Sequence, residues 1–187
     1  MRIISGLYKG RRYTGAIPAV VRPTTDNVRE AIFNILANHI DFDDIIVADI
    51  CAGTGFMGFE ALSRGAAKCY SFEKSRKVIE LIKKAASQIQ IPNDKYQIIS
   101  GDAEKKIKKL AKDSPELKFK LVFFDPPYDS SLFNPVIGEL TQSTLIESGC
   151  IFIIEHSTKT RLILPGKWDV LTERIFGGTN VVFAESK

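Results

Sequence analysis

The chain has 187 residues, of which 44% are hydrophobic and 26% charged, and these values suit one globular domain with a single sizeable core. No apolar run reaches membrane-span length and the N-terminus lacks a signal-peptide core, so we expect a cytoplasmic monomer without membrane contact. Three scattered cysteines (Cys51, Cys69 and Cys150) and two histidines (His39 and His156) indicate reduced core residues rather than a disulfide framework or a metal site.

Positive charge is concentrated at the N-terminus. Residues 1–29 carry six basic side chains against one acidic side chain, a net charge of +5, whereas the whole chain carries +4. Such a segment on a near-neutral domain predicts a phosphate-bearing partner such as nucleic acid, although a solvated surface could have the same composition. The residues expected to hold phosphates are Arg2, Lys9, Arg11, Arg12 and Arg22.

The first predicted elements are a small hairpin over residues 2–12 and a helix. Short apolar pieces around Gly6 and Gly10 predict the hairpin. Thr24 or Thr25 is a natural N-cap, and apolar residues then recur at helical spacing as far as residue 40.

From residue 45 strands and helices alternate, which predicts an α/β sandwich with a mainly parallel sheet. The apolar patterns predict strands over residues 45–50, 68–72, 96–100, 121–124 and 150–155, and helices over residues 58–64, 75–88, 103–112 and 132–140. Residues 168–176 and 180–185 flank a Gly-Gly-Thr turn, so we expect a closing antiparallel hairpin.

Polar or glycine-rich features follow four of these strands. They are the glycine loop from Gly53 to Gly58, then Glu73, Asp102 and the sequence Asp-Pro-Pro-Tyr at residues 125–128. Ligands of open α/β sheets bind beyond the carboxyl ends of the strands. The sequence therefore predicts that these features meet in one binding site.

The Asp-Pro-Pro-Tyr corner suits a planar group that carries an amino group, such as a nucleobase. Pro126 and Pro127 lack backbone N–H donors and stiffen the turn, so carbonyl oxygens are offered without competing donors. Asp125 adds a carboxylate acceptor and Tyr128 an aromatic face. A tight acidic turn with a buried tyrosine is the alternative interpretation.

The glycine loop leaves two cofactor classes open. Its G-x-G-x-x-G spacing, with Glu73 twenty residues after Gly53, is typical of dinucleotide binding. Asp49 argues against a pyrophosphate, because like charges about 4 Å apart cost roughly 4 kcal/mol near a protein surface. Asp49 instead suits the ammonium or sulfonium of S-adenosylmethionine, with Glu73 accepting from the ribose hydroxyls and Asp102 from the adenine amino group.

The motifs DICAGTG (49–55), FEK (72–74), GDA (101–103) and DPPY (125–128) resemble those of class I methyltransferases that act on exocyclic amino groups. The N-terminal RIISGLYKGR (2–11), RPTTD (22–26) and REAIFN (29–34), and the closing FGGT (176–179), resemble one branch. That branch is the RsmD family of 16S ribosomal RNA guanine-N2 methyltransferases.

This resemblance implies a Rossmann-like seven-stranded methyltransferase domain over residues 23–187 and a small RNA-contacting N-terminal extension over residues 1–22. It implies S-adenosylmethionine as the cofactor, no metal, and 16S rRNA within an assembled small ribosomal subunit as the substrate. The implied catalytic residues are Asp125, Pro126 and Tyr128. The implied cofactor-binding residues are Asp49, Ala52, Gly53, Gly55, Glu73, Asp102, Ala103 and Asp125.

The catalytic tetrapeptide by itself permits other functions. It also fits adenine-N6 methyltransferases acting on DNA or another RNA, so only the N-terminal motifs narrow the substrate to guanine. A non-catalytic RNA-binding protein on the same fold, and after it a dehydrogenase, are the remaining alternatives. Glu155 and His156 follow the fifth strand and could line the site, although a strand-end cap is the simpler interpretation.

Overall fold

The structure is a computed structural model that describes residues 1–21, 23–127 and 131–187. Its helices are α1 (Asp26–Leu36), α2 (Phe56–Ser63), α3 (Arg76–Ile89), α4 (Ala103–Asp113) and α5 (Phe133–Gln142). Its strands are β1 (Ile46–Ile50), β2 (Lys68–Glu73), β3 (Tyr96–Ser100), β4 (Phe119–Phe124), β5 (Ile146–Ser157), β6 (Trp168–Phe176) and β7 (Thr179–Ser186). Among these residues no helix is long and apolar enough to cross a membrane.

Within the described residues, the seven strands form one sheet in the order β3-β2-β1-β4-β5-β7-β6. Strands β1 to β5 pair in parallel, whereas β7 runs antiparallel to both β5 and β6. The carboxyl ends of the parallel strands consequently meet at one edge of the sheet. The predicted α/β architecture and its closing antiparallel hairpin are confirmed.

A hydrophobic core covers each face of the sheet, because successive side chains of a strand point to opposite faces. Phe123 and Ile153 belong to the core that also contains apolar residues of α1, α2 and α3. Phe124 and Ile154 belong to the second core, which α4 and α5 complete. The central strands are therefore buried on both faces, as their continuous apolar runs predict.

Two element boundaries differ from the sequence pattern by about four residues, and the others differ by two or fewer. The first helix begins as predicted, with Thr25 capping the N–H of Val28 at 3.3 Å, but it ends at Leu36 instead of near residue 40. Strand β5 begins at Ile146, four residues before the predicted start at residue 150. The pattern predicts the later start because the polar residues after Ile146 suggest a turn. They lie instead where the β4–β5 register shifts, and Gly149 adopts a left-handed φ of +68° there.

The N-terminal segment folds back on itself and packs against α2. Its two limbs meet in an antiparallel bridge between Arg2 and Arg12, and the N–H of Ile3 donates to the carbonyl of Arg11 at 2.9 Å. Gly6 is required at the turn, since a Cβ there would lie 1.7 Å from the carbonyl oxygen of Ser63 on α2. The buried side chains of Ile3, Tyr8 and Tyr13 belong to the same core as α1, α2 and α3.

Candidate active site

The carboxyl edge of the sheet opens into a cleft with a volume of about 450 Å³. The predicted strand-end residues Gly53, Glu73, Asp102, Ala103 and Asp125 all line this cleft. Its remaining walls come from the segment before α1, the start of α3 and the β6–β7 turn, with Val21, Thr24, Ser75, Val78, Phe176 and Thr179 among them. The fold therefore brings together in one cavity features that are far apart in the chain.

The glycine loop is built from left-handed backbone conformations. Gly53 and Gly55 have φ angles of +54° and +77°, and Gly55 is the N-cap of α2. Cys51 also has a positive φ, +62°, although it is not a glycine, which marks a locally strained backbone next to the cleft. Gly55 does not line the cleft, so it shapes the loop rather than the wall of the site.

Glu73 joins the glycine loop to the start of α3. Its Oε2 accepts the N–H of Gly53 at 3.3 Å, and its Oε1 accepts the N–H groups of Lys74 and Ser75 at 2.9 and 2.8 Å. An ionised carboxylate offers about four lone-pair sites. Acceptor capacity therefore remains for a ligand that enters the cleft.

Asp102 is the N-cap of α4, because its Oδ1 accepts the N–H of Lys105 at 3.1 Å. The side chain is exposed and also lines the cleft. Capping occupies one carboxylate oxygen and leaves the other for a ligand. Asp102 can therefore cap α4 and also contact a ligand in the cleft.

A small pocket of about 30 Å³ adjoins the cleft and is bordered by Asp49, Ala52, Asp125 and Glu155. Asp49 is 3% exposed, and its Oδ2 accepts the N–H of Gly58 at 3.2 Å. Burial, reinforced by the negative charges of Asp125 and Glu73, raises the pKa of Asp49 to about 8. A cation placed here would favour the ionised form of this carboxyl.

The corner after β4 leaves the sheet where the sequence pattern places it. The N–H of Asp125 donates to the carbonyl of Ile50 at 3.3 Å, which ties the start of the corner to the end of β1. Asp125 is half-buried and Pro126 buried, while Pro127 is exposed at the cleft. Tyr128, the last residue of the predicted catalytic tetrapeptide, lies outside the described residues.

The basic residues of the N-terminal segment differ in their surroundings. Arg12 and Lys9 are exposed, whereas Arg2 pairs with Asp26 at 3.3 Å. Arg11 donates from Nη1 to the carbonyl of Ile89 at 2.7 Å and lies over the ring of Tyr8. Arg22, also predicted to hold phosphate, lies outside the described residues.

Comparisons with known proteins agree with these motifs. The family model described as "Conserved hypothetical protein 95" matches residues 1–185. Ribosomal RNA small subunit methyltransferase D from Haemophilus influenzae is 30% identical over 95% of this chain and 89% of the relative, and that from Escherichia coli is 30% identical over 95% and 85%. The chain belongs to the RsmD family. The predicted membership is confirmed.

A solved structure supports the fold of this RsmD-family chain. The protein described as "Putative methyltransferase yhhF from Escherichia coli" has a TM-score of 0.84 at 26% identity, covering 100% of this chain and 98% of that one. The seven-stranded sheet, the N-terminal segment and the terminal hairpin therefore lie within the compared length.

Two residues border this RsmD-family site although the sequence pattern does not predict it. Glu155, interpreted as a strand-end cap, is 7% exposed and lines both the cleft and the small pocket. Arg29, counted with the basic segment, is fully buried, so it does not face a phosphate partner. It donates to the carbonyl of Arg2 at 2.6 Å and to Asp26 at 2.9 Å, and it borders the small pocket.

The signals for these two residues differ. Glu155 directly follows the apolar run of β5, which is the signal that singles out Asp125 after β4, but nothing in the local pattern distinguishes a cap from a site residue. Arg29 belongs to the REAIFN motif, and only the packing of α1 reveals that its guanidinium is enclosed. Among the described residues no cluster of His, Cys, Asp or Glu could hold a metal ion.

Proposed function

We propose that this protein transfers a methyl group from S-adenosylmethionine to the exocyclic N2 of a guanine in 16S ribosomal RNA. The observation that carries the proposal is the shared cleft. The Asp125-Pro126-Pro127 corner, which suits an amino-bearing base, lines the same cavity as Glu73 and Asp102, which suit an adenosine. Relatives named Ribosomal RNA small subunit methyltransferase D support rRNA as the substrate class.

The residues of the cleft fit S-adenosylmethionine. Glu73 has about one acceptor site left for a ribose hydroxyl, and Asp102 has an oxygen for the adenine amino group. Ala103 lines the cleft beside Asp102, and the loop from Ala52 to Gly53 brings main-chain groups to the boundary of the small pocket. Asp49, whose pKa burial raises to about 8, would gain stability in its ionised form beside the positive end of this cofactor.

The bound cofactor would supply an electrophilic methyl group on a sulfonium. The protein's own task is to prepare the guanine amino group, whose nitrogen lone pair is delocalised into the ring and therefore weakly nucleophilic. The carboxylate of Asp125 and the carbonyl of Pro126 would accept its two hydrogens and favour a pyramidal nitrogen with a directed lone pair. Asp125 then takes the proton that leaves the methylated nitrogen, an assistance typically worth about 10²–10⁴-fold.

Tyr128 and the basic segment would hold the RNA. Base stacking on Tyr128 would contribute about 1–3 kcal/mol to an extruded guanine. Residues 1–22 would form an N-terminal extension that contacts the RNA. Its phosphate-binding residues would be Arg2, Lys9, Arg11, Arg12 and Arg22. The exposure of Lys9 and Arg12 supports the part assigned to those two.

We propose an assembled small ribosomal subunit as the substrate and a monomer in the cytoplasm as the working form. The support for the cytoplasm is the buried, unpaired state of Cys69 and Cys150, which suits a reducing compartment. Free rRNA and DNA are the competing substrates that an assay must include.

One assay tests the function. Labelled S-adenosylmethionine is supplied with unmethylated small subunits, free 16S rRNA or DNA, and the labelled nucleosides are identified. We expect N2-methylguanosine from the subunits. N6-methyladenosine in its place would establish the alternative adenine specificity.

The Asp125→Asn variant tests the assignment of the amino-group acceptor. We expect methyl transfer to fall by at least about 100-fold while S-adenosylmethionine still binds. Asp94→Asn, a change to an exposed carboxylate in the loop before β3, serves as the matched control and should leave the rate unchanged. Wild-type turnover by Asp125→Asn would remove Asp125 from the mechanism.

A further inference from the structure

The pairing of β4 with β5 places Glu155 beside Asp125. The last registered pair is Phe124 with Ile154, so the next position on each strand is Asp125 and Glu155. Adjacent strands lie about 4.8 Å apart, which sets the separation of the two backbones at this point. Both residues line the cleft and the small pocket that adjoins it.

The surroundings of Glu155 indicate more than a strand cap. Its side chain is 7% exposed, and burial together with the charges of Asp125 and Asp49 raises the pKa of its carboxyl to about 8. With this pKa the carboxyl holds a proton at neutral pH, and a hydrogen-bond donor or a positive charge that enters beside it would favour its ionised form. The cavity that it borders is where such a donor could enter.

Guanine presents two neighbouring donors on the edge that carries N2. The exocyclic amino group is one, as in duplex recognition of guanine, and the ring N1–H beside it is the other. An ionised carboxylate only accepts hydrogen bonds. Two adjacent carboxylates are therefore complementary to this edge, whereas a purine with an unprotonated N1 would present a lone pair to one of them.

We propose that Glu155 is a specificity-determining residue that accepts the N1–H of the target guanine while Asp125 accepts from N2. The inference rests on the proposed guanine-N2 function and adds the means by which the base is selected. A purine without N1–H leaves the Glu155 carboxylate unpaired in a desolvated site. Hydrogen bonds to charged groups contribute about 1.5–3 kcal/mol, so guanine should be preferred over such a purine by at least about tenfold.

The test replaces the target guanine by 2-aminopurine, which keeps the 2-amino group but has no hydrogen on N1. Small subunits are assembled with rRNA carrying either base at the methylated position. The kcat/KM is measured for both above the pKa of about 8 of Glu155, where its carboxylate has no proton to donate to N1. The wild-type protein is expected to prefer guanine by at least about tenfold. In Glu155→Gln the amide can donate to the unprotonated N1, so the preference should fall by about tenfold or more.

Glu147→Gln is the matched control, because Glu147 lies on the same strand at the opposite edge of the sheet and is exposed. It should retain the wild-type preference. Glu155→Gln removes a buried acid without changing its shape, and an unchanged or higher melting temperature shows that it folds. Binding of S-adenosylmethionine is measured alongside, so that an effect on the cofactor is separated from an effect on base choice.

Two results overturn the inference in distinguishable ways. If wild-type protein forms N2-methylguanosine but Glu155→Gln keeps the same preference for guanine over 2-aminopurine, base selection by Glu155 is wrong and the proposed function stands. The same conclusion follows if the variant changes only cofactor affinity. If wild-type protein forms no N2-methylguanosine, both the proposed function and the selection of guanine by Glu155 are overturned.

Discussion

The carboxylate of Glu60, buried in α2, accepts the backbone N–H of Ile4 at 2.8 Å across 56 positions of sequence. Its other oxygen accepts the N–H of Ser5 at 3.0 Å and the Nε of Arg64 at 2.9 Å. One fully buried side chain therefore attaches the basic N-terminal segment to the helix that follows the glycine loop. The position of that segment relative to the cleft depends on this attachment.

Glu60→Ala should consequently destabilise the protein and release the N-terminal segment. Breaking a buried charged network typically costs about 3–5 kcal/mol, because the remaining charges and N–H groups are left without partners. Denaturant unfolding measures the loss, and hydrogen exchange should show that the amides of Ile4 and Ser5 lose protection. The control Glu30→Ala alters an exposed residue of α1 and should change stability by less than about 0.5 kcal/mol.

Two helical glycines should respond in opposite directions to alanine. A Cβ on Gly58 would lie 2.6 Å from the Sγ of Cys69 and 3.3 Å from the Oδ2 of Asp49, so Gly58→Ala should cost about 1–3 kcal/mol. Gly138 in α5 has nothing within 4 Å of the added atom, so Gly138→Ala should stabilise by up to about 1 kcal/mol. Thermal unfolding of both variants provides the comparison, and equal effects would contradict the packing described at Gly58.

Stability should fall as pH rises between about 4 and 8. The pKa of Asp49 is raised by burial from 3.8 to about 8, so in this window the folded protein holds a proton that the unfolded chain has released. Each such carboxyl contributes a slope of at most about 1.4 kcal/mol per pH unit. Asp49→Asn should flatten the dependence of unfolding free energy on pH, whereas Asp113→Asn, at an exposed site, should not.

The affinity for the cofactor should also depend on the protonation of Asp49. If S-adenosylmethionine brings its positive charge to Asp49, binding must release the proton, so affinity should increase from pH 6 to pH 8. S-adenosylhomocysteine keeps the ammonium but lacks the sulfonium charge, so a weaker dependence would place the sulfonium beside Asp49 and an equal one would place the ammonium there. Calorimetry in buffers of different ionisation enthalpy counts the released protons, and an affinity for S-adenosylmethionine that does not change with pH would contradict a cation site at Asp49.

Removal of exposed N-terminal charges should weaken RNA binding in a salt-dependent way. Lys9→Ala combined with Arg12→Ala should lower the steepness of log affinity against log salt by roughly 1.4–1.8, since each lost phosphate contact contributes about 0.7–0.9. Lys118→Ala is the control, because Lys118 precedes β4 at the edge of the sheet opposite the cleft and is exposed. A slope unchanged by the double substitution would remove these two residues from the RNA contact.

Local sequence patterns predict most of the elements but not all their ends. The alternation of apolar runs locates every strand of the described sheet, and Thr25 is a true helix cap. The amino end of β5 is missed because Gly149 and its polar neighbours look like a turn. They lie in the register shift between the pairs Phe119–Ile146 and Leu121–Ile151, and this pairing depends on residues far away in the chain.

The sequence alone determines which residues stand at the ends of the strands, because strand periodicity and helix capping are local effects. Glu73, Asp102 and Asp125 are identified in this way, and the structure brings them to one cleft. Only the tertiary structure decides that Glu155 borders the same cavity and that Arg29 is enclosed. Burial and strand register arise from long-range packing, so the surroundings of a charged side chain cannot be derived from its neighbours in the chain.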